Sequence, residues 1–407
     1  MENLFQHTSS SDTKGQDSKP LAGVTIIDLT RVLSGPFCTM ILADHGARVI
    51  KVELSGTGDD ARAYGPEVNE KSGYFCSINR NKESIALNLK KPEDREIFEQ
   101  LLAKADVLTE NYRPGVMERL GYSWDTLHEK FPSLIYGAIS GFGQQGSPYR
   151  DRPAYDMVVQ GMSGIMTVTG HKGTPPTRVG VSIGDLTAGL FLTIGVVMSL
   201  FKRQQTGIGN QVDIAMLDCQ IALLEYSAMR HMVTGEIPSP VGTYRPAIAP
   251  PFGMFKTGSG YMVIATGNDQ LFTQLCHGLG HPEMATDDRF NHQEARKDYE
   301  PELQQTLEDI LADNTTEYWV NRLTEQGIPC GPINNVAEML QDEHVTNRNM
   351  LVDVDISSDE ENTRGPEKIV GTPIKLSNSP DMQRVRPAPK LDQDRASVLS
   401  DFGITER

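Results

Sequence analysis

From Leu186 to Phe201 the chain runs for sixteen residues without a charge, and the residue that opens the run is an acid, Asp185. A stretch this apolar has to be taken out of water. It is shorter than the roughly 20 residues that a helix needs to span a bilayer, so the sequence predicts a buried helix of a soluble protein. Gly184-Asp185 reads as the turn that starts it. That places a carboxylate at a helix N-terminus, where free N–H groups and the helix dipole favour negative charge. Taken alone, the segment reads as an N-capping aspartate.

The sequence before this helix alternates between two periods. VTIIDLT (24–30) is a strand-like run, FCTMILADHG (37–46) has helical spacing, and ARVIKVEL (47–54) is a second strand. SIALNL (84–89), a charged helix at 92–104 and DVLTENY (106–112) repeat the pattern, and LIYGAISGFG (134–143) adds another strand. Strands alternating with helices predict an α/β fold with a doubly wound, Rossmann-like parallel sheet and its ligand at the strand C-termini. QVDIAMLDCQIALLEYSAMRHMVTG (211–235) reads as a second long apolar helix. Prolines cluster at 236–251, and 252–265 reads as a β-hairpin about Gly258-Ser259-Gly260, followed by acidic amphipathic helices. The expected organisation is a disordered tail at 1–20, a large α/β domain at 21–225, a smaller α+β domain at 226–326, and a return to the large domain at 327–407. A helix is expected at 393–401.

Composition narrows the function. The net charge is −16 with no basic block, which excludes a nucleic-acid footprint. The five cysteines show no CxxC spacing, so a reducing cytoplasm is expected rather than a disulfide framework or zinc site. His277 and His281 lack the acid of an HExxH pattern, and no metal is expected. The N-terminus has neither an apolar core nor the arginines of a leader. Gly141-Phe142-Gly143-Gln144-Gln145-Gly146 matches a dinucleotide fingerprint letter by letter. Pro148 and Pro153 follow where a helix must open, which argues against it. Cys38 lies in an apolar helix and reads as core. Arg62, Arg80, Arg113 and Arg119 fall near strand ends and would together suit a phosphate-rich ligand.

Seven segments in order carry a resemblance. They are LAGVTIIDLTRVLSGPFCTMILADHGARVIKVE, GTGDDAR, INRNKESIALNLKKPE, DVLTENYRPGVMERLGY, SGFGQQGSP, IGDLTAGLF and GIPCGPINN. Together they resemble the class III CoA-transferases, over about residues 21–392. The resemblance implies a large domain built from both chain ends, a smaller domain between, and an interlocked homodimer. It implies acyl-CoA and a small carboxylic acid as substrates, no permanently bound cofactor, and no membrane partner.

By resemblance Asp185 is the catalytic nucleophile, which overturns the capping reading. Val32 and Leu33 would flank the pantetheine end of CoA. Asn111, Tyr112 and Arg119 would line the CoA site, with Arg119 facing phosphate. Tyr64 and Tyr155 would face the substrate, with Gly267 in the loop AlaThrGlyAsnAsp at 265–269. Leu33, Leu54 and Tyr64 differ from formyl-CoA:oxalate transferases, which have glutamine, arginine and tryptophan there. The chain looks closer to the acetyl-CoA:oxalate and succinyl-CoA:dicarboxylate branches. The α-methylacyl-CoA racemases resemble it in fold but pair the aspartate with a histidine, expected where Tyr155 stands. A phenol is a poor base at neutral pH, so transfer is the expected reaction.

Overall fold

The computed structural model describes residues 19–68, 71–244, 248–354 and 367–406. All of the expected tail at 1–20 except Lys19 and Pro20 lies outside them. The chain divides into two compact units. One comprises the described residues of Met1–Ile165, Val179–Glu225 and Glu343–Arg407, and the other Met166–Arg178 with Tyr226–Asp342.

The first unit is organised on six parallel strands: β1 (Thr25–Asp28), β2 (Arg48–Glu53), β3 (Lys82–Ala86), β4 (Val107–Glu110), β5 (Ile135–Ser140) and β6 (Gln211–Ala215). Their order across the sheet is β3-β2-β1-β4-β5-β6. The chain winds outward from β1 in one direction, then returns to add β4 on its other side. The strand order therefore reverses between β1 and β4, where an open sheet leaves a crevice at its C-terminal edge. Both faces are covered, as the doubly wound expectation requires. Ile27, Ile50, Ile85 and Leu108 pack on one side with Phe98 and Leu101 of helix α2 (Pro92–Leu102) and with Val398 of the C-terminal helix Arg395–Asp401. Ile26, Val49, Val107 and Ile135 face the other side, where helix α1 (Ser34–Asp44) supplies Cys38 and Leu42. Adjacent residues Ile26 and Ile27 serve opposite cores because side chains alternate across a strand. Cys38 is core, as expected, and burial pushes its thiol up to about 12.

Two readings are corrected here. QVDIA, expected to begin a helix, is the strand β6, paired with β5 from Tyr136↔Gln211 to Ser140↔Ala215. Val212 and Ile214 alternate with Gln211 and Asp213, a two-residue period that the apolar helix behind it masks. That helix is two pieces, α5 (Met216–Leu223) and Glu225–Thr234. The segment 327–335, expected to return to the first unit, instead adds the strand Cys330–Pro332 to the second unit's sheet, antiparallel to Met262–Ile264.

That sheet is the expected hairpin, Phe252–Lys256 against Tyr261–Ala265, with Cys330–Pro332 at its edge. Phe255, Met262 and Ile264 are buried under helices Asp269–Leu279, Glu300–Leu311 and Thr316–Glu325.

Candidate active site

The site is built from the residues around Asp185. Helix α4 runs from Ile183 to Thr206 with Ser182 at its cap, and no side chain closes that end. Asp185 is the third helical residue and caps nothing, which corrects the capping reading. Neither of its carboxylate oxygens has a hydrogen-bond partner among the described residues. Burial pushes the carboxyl up, the neighbouring Asp156 pushes the same way, and it stands at about 7. Asp156 begins helix α3 (Asp156–Ser163). Its carboxylate accepts the Gly184 N–H at 2.7 Å and the Gln160 amide at 2.7 Å. The first turn of α4 is thus tied to α3 one residue before Asp185. Gly184 permits it: a Cβ there would lie 2.7 Å from Gln220 Nε2 on α5 and 2.9 Å from Asp156 Oδ1.

The expectation of a buried helix holds for one face of α4. Ala188, Leu192 and Val196 are fully buried in the sheet-facing core. Leu190, Ile194, Val197, Met198 and Phe201 are exposed on the other face. The helix is long and apolar enough to cross a membrane by composition, but its inner face is core packing in this fold.

Gly189, one turn beyond Asp185, brings the next component into place. A Cβ at Gly189 would lie 2.6 Å from the Ser34 carbonyl oxygen. The start of α1, preceded by Val32 and Leu33, therefore sits directly against α4. Asn111, just past β4, holds this loop: its amide oxygen accepts the Arg31 N–H at 2.8 Å, and its amide nitrogen donates to the Arg31 carbonyl at 2.7 Å. The Asn111 side chain thus bridges the reversal between β1 and β4. Val32 has φ +66°, a left-handed conformation that a β-branched residue rarely adopts.

Two of the tyrosines, Tyr64 and Tyr74, meet on the Asp185 side. Tyr74 stands edge-on to Tyr64, with ring centres 5.6 Å apart. Its phenol is pushed up to about 12, by burial first and by Asp185 next. Leu33 and Tyr74 pack against the same small cluster of Met40, Ile41 and Ile78. Tyr155 precedes Asp156 at the start of α3 and is 75% exposed. Gly267 belongs to the second unit, in the loop after Tyr261–Ala265.

A cleft opens at the C-terminal ends of β1, β2 and β3, lined by Thr30, Arg31, Leu54, Asn88, Lys90 and Tyr112 among others. Of the four arginines singled out by position, two do not face a ligand. Arg62 binds Glu53 at 2.7 Å and lies over the Phe75 ring, and Arg80 is buried against Asp44 at 2.7 Å. Arg113 and Arg119 are exposed, and neither side chain has an ion-pair partner among the described residues. The 141–146 loop opens no helix, in line with rejection of the dinucleotide reading; α3 begins only at Asp156.

Sequence reasoning missed Asp156, although it adjoins Tyr155. It also missed Asp59 and Lys51, which lie beneath the Val32 loop as a buried ion pair at 2.9 Å.

A parallel sheet with a cleft at the C-terminal ends of its strands, and a half-buried aspartate at a helix start with no hydrogen-bond partner among the described residues, suit chemistry on a large ligand. Comparison with known proteins agrees: residues 21–395 match the model of CoA-transferase family III, and the chain belongs to that family. It is 42% identical to the acetyl-CoA:oxalate CoA-transferase of Acetobacter aceti, over 97% of this chain and 98% of that one. It is 37% identical to the succinyl-CoA:glutarate CoA-transferase of Mus musculus, over 94% and 86%. The crystal structure of a CAIB/BAIF family protein from Brucella suis superposes with a TM-score of 0.84 at 34% identity, over 95% of this chain and all of that one. The enzyme is a family III CoA-transferase, and such enzymes take CoA thioesters as substrates.

Proposed function

We propose that this enzyme moves CoA from acetyl-CoA or succinyl-CoA to oxalate or another short dicarboxylate, with Asp185 as nucleophile. The observation that carries the reading is the Asp185 carboxylate, poised at a helix start with no hydrogen-bond partner among the described residues. A partly desolvated carboxylate is a stronger nucleophile than one in water. It attacks the donor thioester and expels CoA thiolate, giving an acyl-aspartyl anhydride. The thiolate attacks the aspartyl carbonyl, releases the donor acid and leaves CoA on Asp185 as a thioester. The acceptor carboxylate attacks that thioester, again expelling thiolate, and the thiolate then takes the acceptor acyl group from the second anhydride. Asp185 is regenerated, and no activated bond is lost to water.

Val32 and Leu33 flank the pantetheine end in this reading, and Asn111 fixes their loop. Tyr112 lines the nucleotide cleft, with Arg119 and Lys90 as phosphate-facing cations. Tyr64 and Tyr155 contact the acyl and acceptor groups, and backbone N–H donors near Asp185 would steady the oxyanions. The substrate assignment draws on the Acetobacter aceti and Mus musculus relatives, whose names pair acetyl-CoA with oxalate and succinyl-CoA with glutarate. An interlocked homodimer working in the cytoplasm belongs to the same reading. The exposed stripe Leu190, Ile194, Val197, Met198 and Phe201 on α4 supports the homodimer.

The test is mass spectrometry of the protein incubated with acetyl-CoA or succinyl-CoA, followed by oxalate, glutarate or mesaconate. A hydroxylamine-sensitive adduct on Asp185 that one acid discharges is the expected result. Turnover with no adduct, or one-tenth of wild-type turnover retained by Asp185→Ala, would sink the mechanism.

A further inference from the structure

The Val32 peptide is held in its left-handed turn from below. Asp59, in the GTGDDAR segment, accepts the Val32 N–H at 3.0 Å through Oδ1, and the same oxygen accepts the Ala61 N–H at 2.9 Å. Its other oxygen meets Lys51 Nζ at 2.9 Å, and neither of these side chains has any solvent exposure. Lys51 also donates to the Thr30 carbonyl at 2.7 Å, two residues before Val32. The Asp59 N–H is fixed in turn by Glu53 at 3.0 Å. Arg31, between these contacts, pairs with Asp60. A β-branched residue pays for a left-handed φ, and a free loop would relax out of it. Here the loop is gripped on both flanks by groups that are themselves locked.

We propose that Asp59 is a positioning residue for CoA transfer: anchored by Lys51, it holds Val32 left-handed and so sets the Arg31–Ser34 loop against the Asp185 helix. The proposal rests on the reading of Asp185 and the Val32 loop given under Proposed function. A buried pair broken on one side strands a charge, so the test removes both charges. Lys51→Met/Asp59→Asn keeps an oxygen acceptor for the Val32 N–H, and Lys51→Met/Asp59→Ala does not. Each is made with Val32 in place and with Val32→Gly, because glycine takes positive φ without the steric cost.

Loss of the acceptor should lower kcat/KM about tenfold with Val32 in place and under about threefold with Val32→Gly. The readout is the ratio of those two factors. Three or more supports the positioning role, and anything smaller overturns it. A merely structural role, including the cap on the Ala61 N–H, weakens both backgrounds alike and cannot be repaired at residue 32. CoA affinity of the same four proteins, measured by calorimetry, gives the ratio without turnover. Failure of the transfer reading therefore leaves this test intact. Should the Lys51 variants not fold, Asp59→Glu in the otherwise unchanged chain keeps the charge pair, displaces the acceptor and is compared in the same two backgrounds.

Discussion

Replacing Asp185 by asparagine should make this protein more stable while abolishing its activity. The carboxyl stands at about 7 in the folded protein against an ordinary value of 3.8, through burial first and Asp156 second. A raised carboxyl weakens the fold once it ionises. Below pH 4 both folded and unfolded chains hold the proton, and nothing is lost. Between pH 4 and 7 the unfolded chain releases the proton while the folded one keeps it, so stability falls as pH rises. Above pH 7 the loss is constant, on the order of 4 kcal/mol. Asparagine has the same shape and no charge, so Asp185→Asn recovers that amount. Spread over the unfolding entropy of a chain this long, it is worth about 5 °C in Tm at pH 8. The assay is calorimetry of both proteins at several pH values from 4 to 8. The Tm difference should be near zero at pH 4, open across the interval and level off above pH 7. A variant no more stable than wild type at pH 8, or a gain that does not change with pH, would refute the reasoning.

The same titration should govern catalysis: kcat/KM rises with unit slope toward pH 7 and then levels, as Asp185 loses its proton. Gly189→Ala places a Cβ 2.6 Å from the Ser34 carbonyl, so α1 and α4 must separate. Thermal melts should show a loss of about 1–3 kcal/mol, with reduced turnover in the folded fraction. Asn111→Ala removes both hydrogen bonds that grip Arg31. KM for the acyl-CoA should rise about tenfold or more while Asp185 still forms its adduct, and an unchanged KM would remove Asn111 from the site.

The local sequence was sufficient for the elements whose residues carry their own period. β1, β2, α1 and the Phe252–Ala265 hairpin lie where alternation and helical spacing put them, because burying one face of a strand or helix writes that period into the chain. Asp185 stood out as the single acid before sixteen uncharged residues, and the ordered motifs resembling class III CoA-transferases marked it as the candidate nucleophile. β6 was not legible, since five alternating residues run into an apolar helix and only pairing with β5 marks them as strand. Nor was the edge strand Cys330–Pro332, too short to show a period of its own.

Only the tertiary structure decided what surrounds Asp185. Asp156 lies 29 positions before Asp185 in sequence, yet it binds the Gly184 N–H at 2.7 Å and helps raise Asp185. Arg62 and Arg80 looked like phosphate ligands by position and are instead consumed by Glu53 and Asp44. Val32 has nothing in its neighbours to announce a left-handed turn; Asp59 and Asn111, from two other loops, impose it. A periodic burial pattern is local and survives in the sequence. A charge's partner, a strained φ and a raised carboxyl depend on which distant segments the fold brings together, and they have no local signature to read.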